Sequence, residues 1–396
     1  METLRKPLTL ISLIVLATTF FSKSVEPCNP IDQEALLDVK HRITDDSPFH
    51  LLKTWVSTTD CCTSWAGVSC NTAGRVVNVS MSGLQDSPVF DIIDTTMVGT
   101  LSPFLGNLTY LEYLDLSNNK NLTGPIPTEL GKLSNLMHLF LDTNQLTGSI
   151  SISFGNLFKL KRLYLSNNQL TGSLDNDIFK SMPSLSELGL SENKFSGRIP
   201  TSIVNLIGLT KLDLNTNRFS GNIVADIGKL KKLTYLDLSV NNLAGSIPNS
   251  MGQLSQLNLL YLNDNSLSGS IPSSISQLGS LQFFRVYNNK INGVLPSSIG
   301  NLSKLERMYL DNNRITGNLP ASLGNLVAAT ELIFKNNRFV GKIPETLGNL
   351  KNLTSLDLSE NGLSGKIPAT LAGFPASSFA ANPGLCGAPL SPCKNR

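Results

Sequence analysis

Apolar residues recur along most of this chain in a unit of about 24 residues. Each unit begins with the pattern L-x-x-L-x-L, as at Leu233, Leu236 and Leu238, and mostly polar residues fill the positions between the leucines. This pattern favours a short strand with one apolar face, because successive side chains of a strand point to opposite sides. One such strand cannot bury its face alone, so the pattern predicts a stack of units around a continuous core.

The rest of the unit indicates how the chain turns back. Residues 233–256 closely follow the template L-x-x-L-x-L-x-x-N-x-L-x-G-x-I-P-x-x-(L/I)-G-x-L, numbered from its first leucine. The asparagine at position 9 can donate and accept hydrogen bonds in the turn, so a ladder of asparagines through the stack is expected. Glycine at position 13 permits an unusual dihedral, Ile-Pro keeps the chain extended, and a short helical or 3₁₀ turn should follow on the outer side.

The asparagine recurs at position 9 in eleven units of this leucine-rich repeat. The steps between them are 25, 24 and 25 residues, then 24 seven times. An extra residue, Lys120, follows the first of them, and an insertion lies around residues 175–183, so local changes of curvature are expected there. The eleven are Asn119, Asn144, Asn168, Asn193, Asn217, Asn241, Asn265, Asn289, Asn313, Asn337 and Asn361.

Both ends of the array depart from the repeat, as capping units must. Residues 31–43 predict an amphipathic helix with Ile31, Leu36, Val39 and Ile43 on its apolar side, and a second short helix should follow near Trp55. Residues 85–97 interrupt the first repeat and are predicted to form a solvated loop. The predicted boundaries are an N-terminal cysteine-rich cap at 25–75, a divergent first repeat with this loop at 76–110, eleven repeats at 111–373, and a C-terminal cysteine cap and tail at 374–396.

The first 24 residues have the features of a secretory signal peptide. A basic start precedes fourteen mostly apolar residues, and the small residues Ser22 and Ser24 favour cleavage before Val25. An uncleaved membrane anchor is the alternative, but the run is shorter than the roughly 20 residues that span a bilayer. No second apolar span and no hydrophobic tail after Cys393 occur in the sequence, which predicts a secreted protein without a membrane anchor.

Charge and cysteine content narrow the class further. The sequence has 32 basic and 29 acidic residues; without residues 1–24 these become 29 and 28, so no global field would recruit nucleic acid. An even number of cysteines in a secreted chain indicates disulfides, and adjacent Cys61 and Cys62 are not expected to bond each other. The predicted pairs are Cys28–Cys61, Cys62–Cys70 and Cys386–Cys393. A zinc site is the alternative, but the three histidines lack ligand-like spacing, so no metal or cofactor is predicted.

Four stretches together resemble plant extracellular leucine-rich-repeat proteins: DQEALLDVKHRI, DCCTSWAGVSC, the LTGxIPxxLGxL repeats and NPGLCGAPLSPC. The chain is similar to polygalacturonase-inhibiting proteins and to the ectodomains of plant receptor-like kinases and receptor-like proteins. The resemblance implies an α/β repeat solenoid: a right-handed superhelix with a concave parallel β-sheet, a second, smaller sheet and disulfide-closed caps. Polygalacturonase inhibitors typically have fewer repeats and more cysteines in the C-terminal cap, so the fold transfers more firmly than the inhibitory activity.

The resemblance also implies a function. It predicts a secreted, non-enzymatic protein of the plant cell wall or apoplast that binds an extracellular protein or peptide. The role implied is defence, through inhibition of a microbial wall-degrading enzyme such as polygalacturonase. The alternative is a soluble receptor-like ectodomain that acts in extracellular signalling with a receptor kinase.

Recognition is expected at the variable positions 3, 5, 7 and 8 of the repeat, because the fixed positions build the scaffold. Tyrosine and arginine, which are enriched at protein-binding hot spots, concentrate at these positions in repeats six to nine. We call this set the Tyr–Arg patch: Tyr235, Leu259, Tyr261, Phe283, Arg285, Tyr287, Arg307 and Tyr309. A smaller group is His138, Phe140, Arg162 and Tyr164; the alternative for both is an ordinary half-wetted surface.

Other functions have less support in the sequence. It contains no G-x-S-x-G, no phosphate-binding loop and no H-E-x-x-H, so an enzyme is not predicted. Ice binding would call for a regular threonine stripe, and threonines such as Thr143, Thr210 and Thr234 occupy different template positions. Five N-x-[ST] sequons are potential glycan acceptors in a secreted protein: Asn78, Asn107, Asn121, Asn301 and Asn352.

Overall fold

A computed structural model describes residues 26–45, 50–87, 90–94 and 97–393, without the side chains of residues 45, 84–87 and 90–94. The predicted signal peptide and the last three residues of the tail lie outside the described residues. Among the described residues, no helix combines the length and the apolar character needed to cross a membrane.

The helices are short apart from one in the N-terminal cap. The described chain contains α1 (Pro30–Arg42) and α2 (Cys61–Ser64). The 3₁₀ helices span Leu51–Thr54, Pro103–Asn107, Thr128–Lys132, Ile152–Asn156, Thr201–Asn205, Ile227–Lys229, Asn249–Gln253, Ser273–Gln277, Ser297–Asn301, Ala321–Asn325, Glu345–Asn349, Ala369–Leu371 and Ala376–Phe379. Eight of them begin directly after the template proline, where a helical or 3₁₀ turn was predicted.

The strands are short and regularly spaced. In chain order they are β1 (Ile43–Asp45), β2 (Val68–Cys70), β3 (Val76–Ser80), β4 (Leu84–Ser87), β5 (Phe90–Asp94), β6 (Met97–Thr100), β7 (Tyr113–Asp115), β8 (Asn121–Pro125), β9 (His138–Phe140), β10 (Gln145–Thr147), β11 (Arg162–Tyr164), β12 (Thr171–Ser173), β13 (Glu187–Gly189), β14 (Lys194–Arg198), β15 (Lys211–Asp213), β16 (Arg218–Asn222), β17 (Tyr235–Asp237), β18 (Asn242–Gly245), β19 (Leu259–Tyr261), β20 (Ser266–Leu267), β21 (Phe283–Arg285), β22 (Arg307–Tyr309), β23 (Thr316–Asn318), β24 (Glu331–Ile333), β25 (Arg338–Gly341), β26 (Ser355–Asp357), β27 (Gly362–Lys366) and β28 (Gly384–Cys386).

One sheet of thirteen strands runs the length of the solenoid on its concave side. Its order is β2-β3-β7-β9-β11-β13-β15-β17-β19-β21-β22-β24-β26. All neighbours are parallel except β2 and β3, and each repeat pairs with the next in the same register, as in Tyr235↔Leu259 and Leu259↔Phe283. Equivalent template positions of successive repeats therefore form straight rows across the strands.

A second face carries smaller sheets made by the G-x-I-P side of the repeat. Their orders are β1-β6-β8-β10, β12-β14-β16-β18-β20 and β23-β25-β27-β28. Backbone hydrogen bonds cross the intervals between them, for example from Lys290 N to Leu267 O at 2.8 Å and from Thr316 N to Gly293 O at 2.7 Å. The second, smaller sheet implied by the resemblance is present.

The leucines of the template fill one core that extends through all the repeats. Leu233, Leu236 and Leu238 are at most 1% exposed, and their equivalents in the other units are similarly buried. The solenoid is held by nearest-neighbour packing, as expected when single units cannot bury their own apolar face.

The predicted asparagine ladder is present and carries a full set of hydrogen bonds in regular repeats. In Asn217, Nδ2 donates to the carbonyl oxygens of Leu190, Leu214 and Asn215 at 2.9, 3.2 and 3.1 Å. Its Oδ1 accepts from the backbone N–H of Phe195 in the preceding repeat at 3.0 Å. Each asparagine thus joins two neighbouring units and satisfies backbone groups inside the turn.

Lys120 interrupts this ladder at one place. The regular spacing would put the backbone N–H of Leu122 against Oδ1 of Asn144, but that buried oxygen has no partner. Its Nδ2 still donates to Leu116 O and Leu141 O, both at 2.9 Å. The inserted residue therefore removes this bond, and the ladder is regular from Asn168 onward. At the divergent first repeat, the buried Oδ1 of Asn119 also has no partner.

Two template positions adopt left-handed backbone. Glycine at position 13 does so, as in Gly245 with φ of 73°, which confirms the expected unusual dihedral. Position 8 was not predicted to do so, yet its φ lies between 50° and 59° in all eleven units. Asparagine, the residue there in five of them, tolerates this region, whereas the β-branched Val240 is strained in it.

Disulfides close both caps with the predicted pairing. The bonds are Cys28–Cys61, Cys62–Cys70 and Cys386–Cys393. In the N-terminal cap, Trp55 and Trp65 stack at 5.3 Å between ring centroids and are almost completely buried, as expected for core residues. These contacts seal the first open edge of the leucine core.

Two details of the cap differ from the sequence prediction. Ile31 was placed on the apolar side of α1, but its side chain is 59% exposed because the buried face is made by Asp32, Ala35, Leu36 and Val39. The insertion at 85–97 was predicted to be a loop, but β4 and β5 pair antiparallel as a two-stranded sheet. A two-stranded ladder satisfies the backbone groups of the segment within itself.

Candidate functional site

The Tyr–Arg patch is assembled on four neighbouring strands of the concave sheet. The strands β17, β19, β21 and β22 bring Tyr235, Leu259, Phe283 and Arg307 into one row at position 3. Tyr261, Arg285 and Tyr309 form the adjacent row at position 5, and Tyr287 follows on the β21 repeat. All eight side chains are half-buried. The register of the sheet therefore brings the predicted residues together, while their role in binding stays a prediction.

Arg285 lies at the centre of this patch between two aromatic rings. Its guanidinium carbon is 4.6 Å from the ring centroid of Tyr261 and 5.2 Å from that of Tyr309. Such contacts attract the cation electrostatically and restrict its rotamers. Burial raises the pKa of both tyrosines. The hydroxyls therefore stay neutral at physiological pH, and the patch carries the charge of its arginines.

Arg307 is neutralised by a residue that the sequence analysis missed. Its Nε lies 3.1 Å from Oε1 of Glu331 on β24, while its guanidinium covers the ring of Phe283 at 5.3 Å. The hydroxyl of Tyr309 donates a short hydrogen bond to the other oxygen of Glu331. The signal was available in the sequence, because Glu331 occupies position 3 of the repeat that follows Arg307.

The smaller group forms a continuous aromatic cluster nearer the N-terminus. We call Tyr113, His138, Phe140 and Tyr164 the aromatic cluster; their neighbouring ring centroids lie 5.5–6.1 Å apart. Burial, and then the charge of Arg162, lower the pKa of His138, so this imidazole is neutral near pH 7. The cluster is an apolar surface that begins with Tyr113, a residue outside the predicted group.

Arg162 beside this cluster repeats the environment of Arg307. Its Nε lies 3.1 Å from Oε1 of Glu187, and Tyr164 donates a short hydrogen bond to the same carboxylate. In both places arginine is at position 3, tyrosine at position 5 and glutamate at position 3 of the next repeat. Both arginines therefore have their counter-charge within the protein.

Carboxylates gather between the aromatic cluster and the Tyr–Arg patch. Asp213 and Asp237 are register partners on β15 and β17, and Nδ2 of Asn215 lies 2.7 Å from an oxygen of Asp213 and 3.4 Å from one of Asp237. Burial raises the pKa of both carboxyls, and the charge of Asp237 adds to the effect on Asp213. This acidic pair gives the middle of the concave face a polarity opposite to that of Arg285.

Asp142 is expected to make stability depend on pH. Burial, with a smaller contribution from Asp115, raises the pKa of Asp142 to about 6, above its ordinary 3.8. Because the folded state binds the proton more tightly than the unfolded state, stability should increase as the pH falls from 7 to 4. The gain due to Asp142 should be on the order of 2 kcal/mol, measured by urea unfolding followed by circular dichroism.

Asp142→Asn should flatten this pH dependence relative to the wild type. Parallel profiles for the wild type and Asp142→Asn would contradict the assignment. Asp213, Asp237 and Asp311 also have raised pKa values. The Asp142→Asn profile is therefore expected to keep some slope of the same sign.

A hydroxyl stripe on the second face escaped the sequence analysis. Threonine or serine fills position 12 in most repeats and forms a row that includes Thr123, Thr171, Ser220 and Thr316. Each of these four hydroxyls donates to a glycine carbonyl oxygen of the preceding repeat at 3.0–3.3 Å. The row is thus part of the internal bonding of the second face, and the repeat template alone would have shown it.

A groove on the second face is lined by apolar and small polar side chains. This groove, of about 640 Å³, lies along repeats six to eight, and its lining includes Pro248, Ser270, Pro272, Val294 and Pro296. No titratable side chain lines it. In the described chain, the sulfur atoms of Cys28, Cys61 and Cys62 also lie within 4.8 Å of one another, but all three are in disulfides and offer no thiolate to a metal.

The five sequons differ in exposure. Asn107 and Asn301 are exposed at the ends of equivalent 3₁₀ helices. Asn352 is exposed, but its Nδ2 donates to Val327 O at 3.0 Å. Asn78 and Asn121 are half-buried, and Asn78 is the register partner of Tyr113 on the concave sheet. A glycan is therefore best accommodated at Asn107 and Asn301, away from the Tyr–Arg patch.

Comparison with known proteins agrees with this architecture. The family described as a leucine-rich repeat region matches residues 92–247 and 241–364, and the leucine-rich repeat N-terminal domain matches residues 29–71. The DNA damage-repair/toleration protein DRT100 of Arabidopsis thaliana is 34% identical over 33% of this chain and 36% of its own length. A polygalacturonase inhibitor of Pyrus communis is 34% identical over 31% of this chain and 35% of its own. The matched segment thus spans about a third of the length of these relatives.

Solved structures extend the likeness to most of the chain. The plant peptide hormone receptor RGFR1 in complex with RGF2 has a TM-score of 0.64 and 32% identity, over 70% of this chain and 48% of that one. A plant ice-binding protein has a TM-score of 0.55 and 25% identity, over 93% of this chain and 99% of that one. The same scaffold therefore occurs in proteins with different partners, and the specific function depends on the surface residues.

Proposed function

This chain belongs to the leucine-rich-repeat family, and from that premise we propose that it is a non-enzymatic extracellular protein of the plant cell wall that binds a protein or peptide through its concave face. The Tyr–Arg patch carries this proposal. Exposed clusters of aromatic residues and arginine are typical of protein-binding hot spots, and fixed register on four strands preorganises them. A binding role fits a surface that offers shape and charge, with no reactive group among its residues.

The role proposed is defence by inhibition of a microbial wall-degrading enzyme such as polygalacturonase. The similarity to the polygalacturonase inhibitor of Pyrus communis supports it. A rigid concave surface can cover a convex enzyme and exclude its substrate without any chemistry of its own. Such an inhibitor would act as the disulfide-bonded protein and would need no cofactor.

The alternative role is extracellular signalling with a receptor kinase. The similarity to a receptor ectodomain in complex with its peptide supports this alternative. Both roles use the same face, so they are distinguished by the partner that the patch retains. A wall hydrolase from a fungal secretome would support inhibition, and a host receptor ectodomain or peptide from apoplastic fluid would support signalling.

Alanine substitution of Tyr261, Arg285 and Tyr309 tests the placement of the site. Each side chain that acts as a hot spot should contribute at least about 2 kcal/mol, so the triple variant should bind its partner at least about 30-fold more weakly. The measurement is affinity capture with mass spectrometry, from apoplastic fluid with and without a fungal secretome. Surface plasmon resonance on the captured protein would follow.

The matched control replaces three exposed lysines of an outer turn with alanine: Lys229, Lys231 and Lys232. This variant should bind the partner as the wild type does. Circular dichroism must show that both variants are folded. Equal affinity of the Tyr261/Arg285/Tyr309 variant and the wild type would exclude the patch as the binding surface. If the folded wild type captured no protein or peptide, the binding function itself would be wrong.

A further inference from the structure

Arg285 differs from the other arginines of the concave face in its lack of a counter-charge. Within the described residues it has no ion pair. Its Nε, like that of Arg307, is buried without a hydrogen-bond partner, but Arg307 has a carboxylate oxygen of Glu331 at 3.1 Å and Arg285 has none. Its neighbours across the strands are the rings of Tyr261 and Tyr309, which approach the guanidinium from both sides. The fold holds this side chain in place and leaves its charge uncompensated.

The paired arginines show what the same scaffold does when it neutralises this charge. Arg162 and Arg307 each lie 3.1 Å from a glutamate on the next strand, and that glutamate also accepts from a tyrosine hydroxyl. Arg285 is at position 5, where both cross-strand neighbours are tyrosines. The strand that follows Arg285 therefore has no carboxylate beside it, whereas Glu187 and Glu331 lie beside the two paired arginines.

An uncompensated guanidinium held between aromatic rings favours a carboxylate ligand. Guanidinium groups are weakly hydrated, and their planar donors match the two oxygens of a carboxylate. A buried N–H without an acceptor is unfavourable, and a ligand oxygen that accepts from it removes this penalty. Because the rings already restrict the side chain, little additional rotamer entropy is lost on binding.

We propose that Arg285 receives a carboxylate of the bound protein or peptide, and this inference rests on the proposed binding function. The carboxylate belongs either to an aspartate or glutamate side chain or to a chain terminus. Tyr261 and Tyr309 pack beside it and exclude water from the ion pair. Arg307 does not supply this contact, since Glu331 already neutralises it.

The acidic pair gives the bound segment a direction. Asp237 lies two strands from Arg285 in the same row and Asp213 lies three strands away. With strands about 4.8 Å apart, these distances are about 10 and 14 Å, which three or four extended residues span. A second acidic group of the partner is therefore disfavoured at that end, and a neutral or basic group is expected there.

Selection from random peptide libraries tests the inference without knowledge of the natural partner. The disulfide-bonded full-length mature protein would be exposed to one library with blocked C-termini and one with free C-termini. Peptides enriched on the wild type should contain an acidic residue in the first library if a side chain binds. In the second, they should share terminal residues if the chain end binds. The best peptides should bind Arg285→Gln about 10- to 100-fold more weakly.

Arg162→Gln is the matched control, because its charge is already paired with Glu187 and it lies outside the Tyr–Arg patch, and it should select acidic peptides as the wild type does. Arg307→Gln tests whether the acidic preference belongs to the other arginine of the patch. Charge exchange adds a readout that a purely structural role would not move. Arg285→Glu should lose affinity for the acidic peptide. Changing the aspartate or glutamate of that peptide to lysine should restore its affinity for Arg285→Glu. For a terminal carboxylate, blocking the peptide's C-terminus should abolish the preference for the wild type over Arg285→Gln.

The inference would be overturned if peptides bound the patch, were lost on Tyr261→Ala, and showed neither an acidic preference nor sensitivity to Arg285→Gln. In that result the proposed binding function would still stand. Enrichment of no peptide in either library, with no protein captured from secretome or apoplastic fluid, would instead overturn the binding function together with the inference. If Arg307→Gln, and not Arg285→Gln, abolished the selection of acidic peptides, the carboxylate would bind Arg307 and the inference would be rejected.

Discussion

Replacing Arg75 with alanine is expected to lower the free energy of unfolding of the N-terminal cap by about 3–5 kcal/mol. Asp32, on the first turn of α1, is completely buried, and Nε and Nη2 of Arg75 donate to its two oxygens at 3.0 and 2.9 Å. The backbone N–H of Val76 donates to it at 2.9 Å. Without the guanidinium, a buried carboxylate would be left with one backbone donor.

Urea unfolding followed by tryptophan fluorescence measures this effect in the right place. The two tryptophans of the chain, Trp55 and Trp65, stack inside this cap and report on its unfolding. Arg42→Ala is the control, because Arg42 pairs with Asp38 at 2.7 Å on the surface, with side chains 42% and 26% exposed. This variant should lose at most about 1 kcal/mol. Equal losses in the two variants would show that the Asp32–Arg75 pair does not hold the cap.

Replacing Asn217 with alanine is expected to lower the free energy of unfolding of the repeat array by about 3–5 kcal/mol. The substitution removes the donor to Leu190, Leu214 and Asn215 and leaves the buried N–H of Phe195 without an acceptor. One unsatisfied buried group costs about 1–3 kcal/mol, and the lost bonds to the carbonyl groups add to it. Far-ultraviolet circular dichroism in urea measures the change, because the array contains most of the strands.

Asn144→Ala provides a control from the same ladder. Asn144 makes the same donor bonds, but its Oδ1 already lacks a partner, so its removal orphans no backbone N–H. It should therefore lose about 1–3 kcal/mol less than Asn217→Ala. If both substitutions destabilised the protein equally, the bond from Phe195 N to Asn217 Oδ1 would contribute nothing to stability.

The architecture could be predicted from the sequence because the same local pattern recurs in eleven repeats. Leucine spacing predicts the strands, the asparagine predicts the ladder, and glycine at position 13 predicts the left-handed turn. The predicted secreted context indicated disulfides, and the adjacency of Cys61 and Cys62 argued against a bond between these two residues. Wrong predictions fell in segments that occur once, such as the insertion at 85–97, where no second copy constrained the prediction. Two recurring features, the left-handed backbone at position 8 and the hydroxyl row at position 12, were missed.

The Tyr–Arg patch was predictable as a set of neighbours but not in its charge balance. Register alone puts Arg285 between two tyrosines and Arg307 next to Glu331. Which charges pair depends on side-chain rotamers and burial, which the template does not encode. The contrast between a neutralised Arg307 and an uncompensated Arg285 therefore required the structure.

The distance between the two matching Arg–Tyr–Glu arrangements also sets a minimum size for a partner that contacts both of them on the concave face. One starts at Arg162 in the third repeat and the other at Arg307 in the ninth, six strand spacings or about 29 Å apart. A peptide that touches both must be at least about nine extended residues long, whereas a small folded domain has about this diameter. The length of the shortest partner segment that contacts both arrangements would therefore distinguish an extended peptide from a globular enzyme.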